Sequence, residues 1–201
     1  MFIRLSLCLS LLLPTTLFSM RLVILGDSLT AGYGVTKPES YPKILEEELK
    51  KISPQHQVIA AGISGSTTAS GLYRIKEILK KSDSLPTHVL IALGGNDALR
   101  GLPPQQVRYN LENMIQILHK KGISPMLAGM KAPPNQGKDY TQEFDRIYPE
   151  LSKKFNIPLL PFLLDGVAGQ KDLNQSDQIH PNKQGHKVIA MLVLNFLKPH
   201  L

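Results

Sequence analysis

The chain has 201 residues, a length typical of a single globular domain, and 42% of them are apolar, as expected of a protein with a buried core. It has no tryptophan and only 6% aromatic residues, which offers no stacking platform for nucleic acid. The formal net charge is +7, but no run of basic residues is longer than a pair, so no nucleic-acid-binding patch is expected. We interpret the charge as a lysine-rich solvated surface, with peripheral contact to anionic lipid or acidic substrates as the alternative.

The first 19 residues are predicted to be a signal peptide that precedes one domain over 20–201. Arg4 is followed by an apolar run that is too short to span a membrane. Ser19 suits the position before a cleavage site, and the mature protein would then be periplasmic or secreted, without a transmembrane segment. Alternatively, Met20 is the true start of a cytoplasmic protein. Cys8, the only cysteine, lies in this leader, so no disulfide, zinc–thiolate site or cysteine nucleophile is expected in the mature chain.

Beyond the leader, the chain alternates short apolar segments with longer amphipathic ones. The short segments are each followed by small or turn-forming residues, which predicts strands that are buried on both faces. These strands are predicted at 22–25, 57–61, 88–93, 125–129 and 158–162. Apolar residues at helical spacing predict helices at 41–51, 72–81, 107–120, 142–155 and 186–197. The order predicts right-handed crossovers and a five-stranded parallel sheet with helices on both faces.

Polar residues follow three of the predicted strands. Ser28 follows the first strand, Gly65 the second and Asn96 the third. The carboxyl ends of parallel strands meet at one edge of a sheet, where ligands bind in open α/β folds. Further along the chain, Asp177 and His180 are three residues apart. A serine nucleophile, a histidine base and a carboxylate that orients the histidine carry out acyl transfer, so these residues are candidates for those three roles.

Each candidate also has a purely structural interpretation. Ser28 alone could cap the helix that follows the first strand. A histidine before a proline is usually a surface-loop residue, and we interpret the other histidines in this way: His56, His88, His119, His186 and His200. Asp172 is a competing acid, although its spacing from the histidine fits less well. Asp27 is expected to hydrogen-bond the turn that presents the serine, and Gly62 is a rival of Gly65.

The order and spacing of four short motifs resemble those of the SGNH (GDSL) hydrolase family. The motifs are Gly-Asp-Ser-Leu at 26–29, Ser-Gly at 64–65, Gly-Gly-Asn-Asp at 94–97 and Asp-x-x-His at 177–180. The chain is most similar to the small bacterial branch of secreted thioesterases, lysophospholipases and arylesterases. The resemblance implies a flavodoxin-like three-layer α/β/α sandwich. It also implies an oxyanion hole made by the backbone N–H groups of Ser28 and Gly65 and the side-chain amide of Asn96.

The same resemblance implies a serine hydrolase that cleaves esters or thioesters of acyl chains through an acyl-enzyme, without metal or cofactor. The expected substrates are acyl-CoA, lysophospholipids and aryl esters. Leu99, Leu102 and Pro133 are candidates to line an acyl-binding groove. The chain departs from this branch at three positions, where its members often have asparagine, aspartate and tyrosine: Ala60, Ser66 and Gln136. Preference for acyl chain length therefore does not carry over.

Three other functions are left open by the sequence. A carbohydrate O-deacetylase would share the same motifs but have a small acyl pocket. A nucleotide- or flavin-binding module is the second, although the chain lacks Gly-x-Gly-x-x-Gly. A non-catalytic lipid-binding protein is the third, and the presence of all four motifs argues against it.

Overall fold

A computed structural model describes residues 19–81 and 85–201, and in it the predicted strands form one parallel sheet. The strands are β1 (Arg21–Gly26), β2 (Gln57–Gly62), β3 (His88–Ala92), β4 (Ser124–Ala128) and β5 (Leu159–Leu160). Their order across the sheet is β2-β1-β3-β4-β5. This is the flavodoxin-like order, in which the direction of winding changes between β1 and β3. A ligand site is therefore expected outside the carboxyl ends of these two strands.

Helices cover both faces of the sheet, which confirms the predicted three-layer sandwich. They are α1 (Ser28–Ala31), α2 (Tyr41–Ile52), α3 (Thr68–Lys81), α4 (Gly95–Leu99), α5 (Pro104–Lys120), α6 (Lys138–Phe155) and α7 (Lys183–Leu197). The α2 and α7 helices pack together in one layer, and α5 packs against both α3 and α6 in the other. Among the helices that the structure describes, none has both the length and the apolar character that crossing a bilayer requires.

Several helices begin earlier than the apolar periodicity predicts. The predicted starts at 72, 107, 142 and 186 are observed at Thr68, Pro104, Lys138 and Lys183. The added first turns are largely polar, so they contribute nothing to a hydrophobic pattern. Capping explains the start of α7, because the Asn182 side chain accepts hydrogen bonds from the N–H groups of Gln184 and Gly185.

The prediction that every strand is buried on both faces is wrong for β2. Gln57, Ile59 and Ala60 are exposed, whereas β1, β3 and β4 are buried over nearly their whole length. The β2 strand lies at the edge of the sheet and has only β1 as a neighbour. Its apolar composition therefore does not distinguish it from a central strand.

The last strand is shorter than the predicted segment 158–162, because only Leu159–Leu160 pairs with β4. Pro158 and Pro161 flank this pair, and a proline has no N–H to donate to a sheet. At the other end of the chain, residues 1–18 of the predicted signal peptide, with Cys8, lie outside the described residues.

Candidate active site

Ser28 is the first residue of α1, and Asp27 alone separates it from the end of β1. The cap of this helix is Asp27, whose Oδ1 accepts a hydrogen bond from the N–H of Leu29 at 3.0 Å. Asp27 therefore stabilises the turn that presents Ser28, as predicted. The alternative that Ser28 itself caps the helix is wrong.

The structure brings Ser28, His180 and Asp177 into one hydrogen-bonded chain. Ser28 Oγ lies 3.0 Å from His180 Nε2, and His180 Nδ1 lies 2.6 Å from Asp177 Oδ2. Asp177 Oδ1 accepts the backbone N–H groups of Ile179 and His180, each at 2.9 Å. Because the carboxylate accepts from Nδ1–H, the other ring nitrogen is left to accept the serine proton.

The same hydrogen bonds keep Asp177 ionised. The backbone N–H of His180, its imidazole and the N–H of Ile179 together lower the pKa of Asp177 from 3.8 to about 2. The carboxylate is therefore negatively charged throughout the pH range in which a histidine base operates. An ionised partner of this kind can hold the imidazole in one tautomer and stabilise the imidazolium.

Asn96 and the Gly65–Ser66 loop lie beside the serine turn. Asn96 Nδ2 donates to the Ser66 carbonyl at 3.1 Å and to Asp27 Oδ2 at 3.3 Å. Gly65 adopts a φ of 76°, in the left-handed region that favours glycine. The predicted oxyanion donors from the second and third strand ends are thus neighbours of the turn that carries Ser28.

The carboxyl group of Asp27, in the turn that presents Ser28, is buried. Burial raises the pKa of Asp27 from 3.8 to about 6, despite hydrogen bonds that favour the ionised form. The Arg74 guanidinium donates to the Gly26 carbonyl and to Ser66 Oγ, both at 3.0 Å, and also to the Ala61 carbonyl. Arg74 therefore ties the end of β1 to the Gly65–Ser66 loop.

A second polar network joins α4 to α3 and α5. The Asp97 carboxylate accepts from the Thr68 backbone N–H and, at 2.6 Å, from its hydroxyl. Asn110 Nδ2 in turn donates to Thr68 Oγ1 at 3.0 Å. Sequence analysis missed the roles of both Arg74 and Asp97. For Asp97 the available signal was its place in the Gly-Gly-Asn-Asp motif. Arg74 lies in none of the four motifs, so the sequence offered no signal for it.

An open groove of about 500 Å³ begins at Ser28 and His180. Its apolar lining includes Leu99, Met130, Pro133, Phe162, Leu164 and Ile179. Two of the three predicted groove residues, Leu99 and Pro133, are therefore part of it. Leu102 lies outside the groove and is half-buried, and its carbonyl accepts a hydrogen bond from the Tyr140 hydroxyl at 2.8 Å. The other lining residues come from distant segments that no local pattern connects.

Several of the competing interpretations do not fit the structure. Asp177, and not Asp172, hydrogen-bonds to His180. A Cβ on Gly62 would lie 2.2 Å from the backbone nitrogen of Ala31, so this glycine allows α1 to approach β2. His56 and His186 are buried, which corrects their interpretation as surface-loop residues.

A sequence profile of the GDSL-like lipase/acylhydrolase family matches residues 24–188. Thioesterase 1/protease 1/lysophospholipase L1 of Escherichia coli (strain K12) is 39% identical over 178 residues, which cover 89% of this chain and 83% of the relative. An arylesterase of Vibrio mimicus is 37% identical over 183 residues, or 91% of this chain and 90% of the relative.

Solved structures include a similar esterase. The psychrotrophic esterase EstA from Pseudoalteromonas sp., in a structure inhibited by monoethylphosphonate, has a TM-score of 0.84 and 33% sequence identity. The alignment covers 89% of this chain and 97% of the esterase.

Proposed function

The chain belongs to the GDSL-like lipase/acylhydrolase family and is a serine ester hydrolase, and from this premise we propose that Ser28, His180 and Asp177 are its catalytic triad. The observation that carries the proposal is the continuous chain of contacts, 3.0 Å from Ser28 Oγ to His180 Nε2 and 2.6 Å from His180 Nδ1 to Asp177 Oδ2. Both distances allow proton transfer without rearrangement.

Acylation begins when Ser28 Oγ attacks the acyl carbonyl carbon while its proton passes to His180 Nε2. The carbonyl π bond opens, and its electron pair forms the oxyanion of a tetrahedral intermediate. When that intermediate collapses, the bond to the leaving alcohol or thiol breaks and the leaving group takes the proton from His180. Water then attacks the acyl-enzyme carbonyl carbon while His180 accepts a water proton. When this second tetrahedral intermediate collapses, the bond between the acyl carbon and Ser28 Oγ breaks, His180 returns the proton to Ser28 Oγ, and the carboxylic acid leaves.

The oxyanion requires donors that are already in place. We assign this role to the backbone N–H groups of Ser28 and Gly65 and to the side-chain amide of Asn96. The Asn96 amide has its weaker contact, 3.3 Å, with Asp27 Oδ2. Donation to an oxyanion would replace that contact while the 3.1 Å bond to the Ser66 carbonyl holds the amide in position.

The substrate is an ester or thioester with an extended apolar acyl chain. The groove that starts at Ser28 supports this choice, because its lining is largely apolar. The names of the relatives, a thioesterase and lysophospholipase and an arylesterase, agree with acyl-CoA, lysophospholipids and aryl esters as substrates. No metal or cofactor takes part in the proposed steps.

The test is hydrolysis of p-nitrophenyl esters from acetyl to palmitoyl by the wild type, Ser28→Ala and Ser124→Ala, each with and without EDTA. Ser124 is an exposed serine at the start of β4 and serves as the matched control. We expect Ser28→Ala alone to lose activity by orders of magnitude, and EDTA to have no effect. Hydrolysis of the acetyl ester alone would favour a carbohydrate O-deacetylase. Absence of hydrolysis by the folded wild type would favour a binding module.

We propose that residues 1–19 are a signal peptide and that the mature domain, 20–201, is periplasmic or secreted. Met20, the first residue of the proposed mature domain, is buried, and its N–H donates to His56 Nδ1 at 3.0 Å. N-terminal sequencing of the mature protein, recovered from cell fractions, tests this boundary. A mature cytoplasmic protein that begins at Met20 would contradict it.

We also propose that the groove mouth makes peripheral contact with anionic lipid. Leu99 and Ile179 line the groove and are about half exposed. Lys131 also lines the groove, and its ammonium lies 4.9 Å from the centre of the Phe162 ring. The net charge of +7 adds attraction to an anionic surface. Cosedimentation with anionic vesicles, but not with zwitterionic ones, is the expected result. Equal binding to both, or to neither, would contradict the proposal.

A further inference from the structure

Gln175 contacts the loop that carries His180 through both its backbone and its side chain. Its backbone N–H donates to the His180 carbonyl at 2.8 Å, and its Nε2 donates to the Pro181 carbonyl at 3.0 Å. Its own carbonyl accepts both the backbone N–H and the side-chain Nε2 of Gln178, each at 3.0 Å. Gln178 has a φ of 58°, unusual for a residue other than glycine. Gln175 therefore stabilises a strained turn between Asp177 and His180.

The same Gln175 amide reaches the segment that carries the nucleophile. Its Nε2 donates to the Tyr33 carbonyl at 2.7 Å, just beyond the end of α1. Neighbouring Gly34 has a φ of 75°, and a Cβ there would lie 2.1 Å from Gln175 Oε1. The Gln175 amide therefore fills the space in which a side chain at position 34 would lie. Gln175 thus links the Ser28 segment to the His180 loop through main-chain carbonyls on both sides.

The Tyr33 side chain completes the contact. Its ring centre lies 4.5 Å from that of the His180 ring, with the planes inclined by 42°. A cation within about 6 Å of the centre of an aromatic ring is stabilised by the ring's quadrupole. His180 becomes such a cation each time it accepts the Ser28 proton. The Tyr33 ring, half of which is exposed, therefore faces the charge that develops during catalysis.

We propose that Tyr33 and Gln175 are positioning residues that form a clamp on His180, in which Gln175 sets the distance between imidazole and serine and the Tyr33 ring stabilises the imidazolium. This inference rests on the proposed function, because it assigns the base role to His180. The contacts that carry it are distinct from the hydrogen bonds within the triad and from the oxyanion donors.

Other ionisable groups also act on His180, and the experiment has to keep them constant. Asp177 faces it from its own loop, Asp27 from the turn between β1 and α1, and His186 from α7. All three are retained in every variant of Tyr33. A difference between two substitutions of Tyr33 therefore reports the ring alone.

The ring is tested by comparing Tyr33→Leu with Tyr33→Phe, which keeps the aromatic face. We expect Tyr33→Leu to lower kcat/KM about two- to fivefold and to move the acid limb of the pH profile of kcat/KM to lower pH, because the imidazolium loses a stabilising contact. Tyr33→Phe should restore both quantities. Tyr109→Leu, an exposed tyrosine on α5, is the control. An acid limb at the same pH in all variants, with unchanged melting temperatures, would overturn the role of the ring.

The amide is tested with Gln175→Leu, which has a similar size but no donor, and independently with Gly34→Ala, which intrudes on the amide. A displacement of the imidazole by about 1 Å can reduce turnover up to 100-fold, so we expect kcat to fall at least tenfold with little change in KM. Gln184→Leu, an exposed glutamine on α7, is the control.

Folding of each variant is checked by its melting temperature, and if Gln175→Leu does not fold, Gly34→Ala decides the outcome. Wild-type kcat in a folded Gln175→Leu or Gly34→Ala variant would overturn the clamp. Failure of the proposed function is a different result, because the wild type would then have no Ser28-dependent esterase activity.

Discussion

At the scale of single residues, the state of the Asp177 carboxylate determines which nitrogen of His180 can act as a base. Its pKa of about 2 keeps it ionised and accepting from Nδ1–H. Asp177→Asn would present an amide that can also donate to Nδ1, which favours the wrong tautomer. We expect kcat to fall by about 10³–10⁴-fold with the fold intact, and steady-state kinetics with a melting curve tests this. A loss of less than tenfold would contradict the assignment.

The Asn96 amide is a donor whose removal tests the oxyanion hole. Asn96→Ala should reduce kcat about 10²–10³-fold with a small effect on KM, because the charge that the amide stabilises exists only in the transition state. Asn113→Ala, at a half-buried asparagine on α5, is the control for the loss of an amide. An increase in KM at constant kcat would instead assign Asn96 to ground-state binding.

The raised pKa of Asp27 predicts how stability depends on pH. A folded-state pKa of about 6, above the ordinary 3.8, means that the stability contributed by the protonated carboxyl is fully present below pH 3.8 and is lost as the pH rises through 6. Ionisation of Asp27 then costs up to about 3 kcal/mol. Asp27→Asn does not titrate here, so its free energy of unfolding should rise relative to that of the wild type between pH 4 and pH 7.5. The expected relative rise is up to about 3 kcal/mol. Urea titrations at both values measure it, and a constant difference would contradict the prediction.

At the scale of elements, one buried histidine joins two helices. His186 of α7 accepts the Tyr41 N–H of α2 through Nδ1 at 3.2 Å, and the two rings stack 6.1 Å apart. Burial lowers the pKa of His186 from 6.5 to about 4, so the neutral ring is part of the packing between these helices.

This contact predicts acid sensitivity of the α2–α7 layer. Because the folded-state pKa is below 6.5, the stabilisation by the neutral His186 ring is fully present above pH 6.5. It is lost as the pH falls to about 4, and the loss amounts to up to about 3 kcal/mol. Relative to His186→Gln, which does not titrate, the wild type should lose up to this amount of unfolding free energy between pH 7 and pH 4. His200→Gln, at an exposed position, should behave like the wild type. An equal acid dependence of wild type and His186→Gln would contradict the prediction.

The elements themselves were predictable where one local signal determines them. The central strands β1, β3 and β4 are continuous apolar runs, and Pro42 marks the first turn of α2 as expected. The exposure of β2 was not predictable, because an edge strand differs from a central one only in its neighbours. The polar first turns of the helices carry no periodicity and were also missed.

At the scale of the whole molecule, the sheet order brings together the strand ends on which Ser28, Gly65 and Asn96 lie. The proximity of these three residues could be predicted, because the carboxyl ends of parallel strands lie at one edge of the sheet. Arg74, Tyr33 and Gln175 could not be found in the same way. Arg74 and Gln175 donate to main-chain carbonyls of other segments, and the Tyr33 ring contacts the His180 ring, so all three depend on the complete fold.

The groove predicts how rate depends on acyl chain length. Each methylene that moves from water into an apolar lining contributes about 0.8 kcal/mol, which allows up to about a fourfold rise in kcat/KM per methylene until the groove is filled. Ala168→Phe would fill part of the lining and shift the optimum to shorter chains. Kinetics with esters of increasing chain length measure both. An optimum at the same length in wild type and Ala168→Phe would contradict this location of the acyl chain.

The central claim is that Ser28 is the nucleophile activated by His180, and covalent labelling with a fluorophosphonate tests it most directly. We predict one label per chain by intact mass, located on Ser28 by peptide mapping, in step with the loss of esterase activity. His180→Ala should be labelled much more slowly. Labelling of another residue, or full inhibition of an active Ser28→Ala variant, would contradict the account.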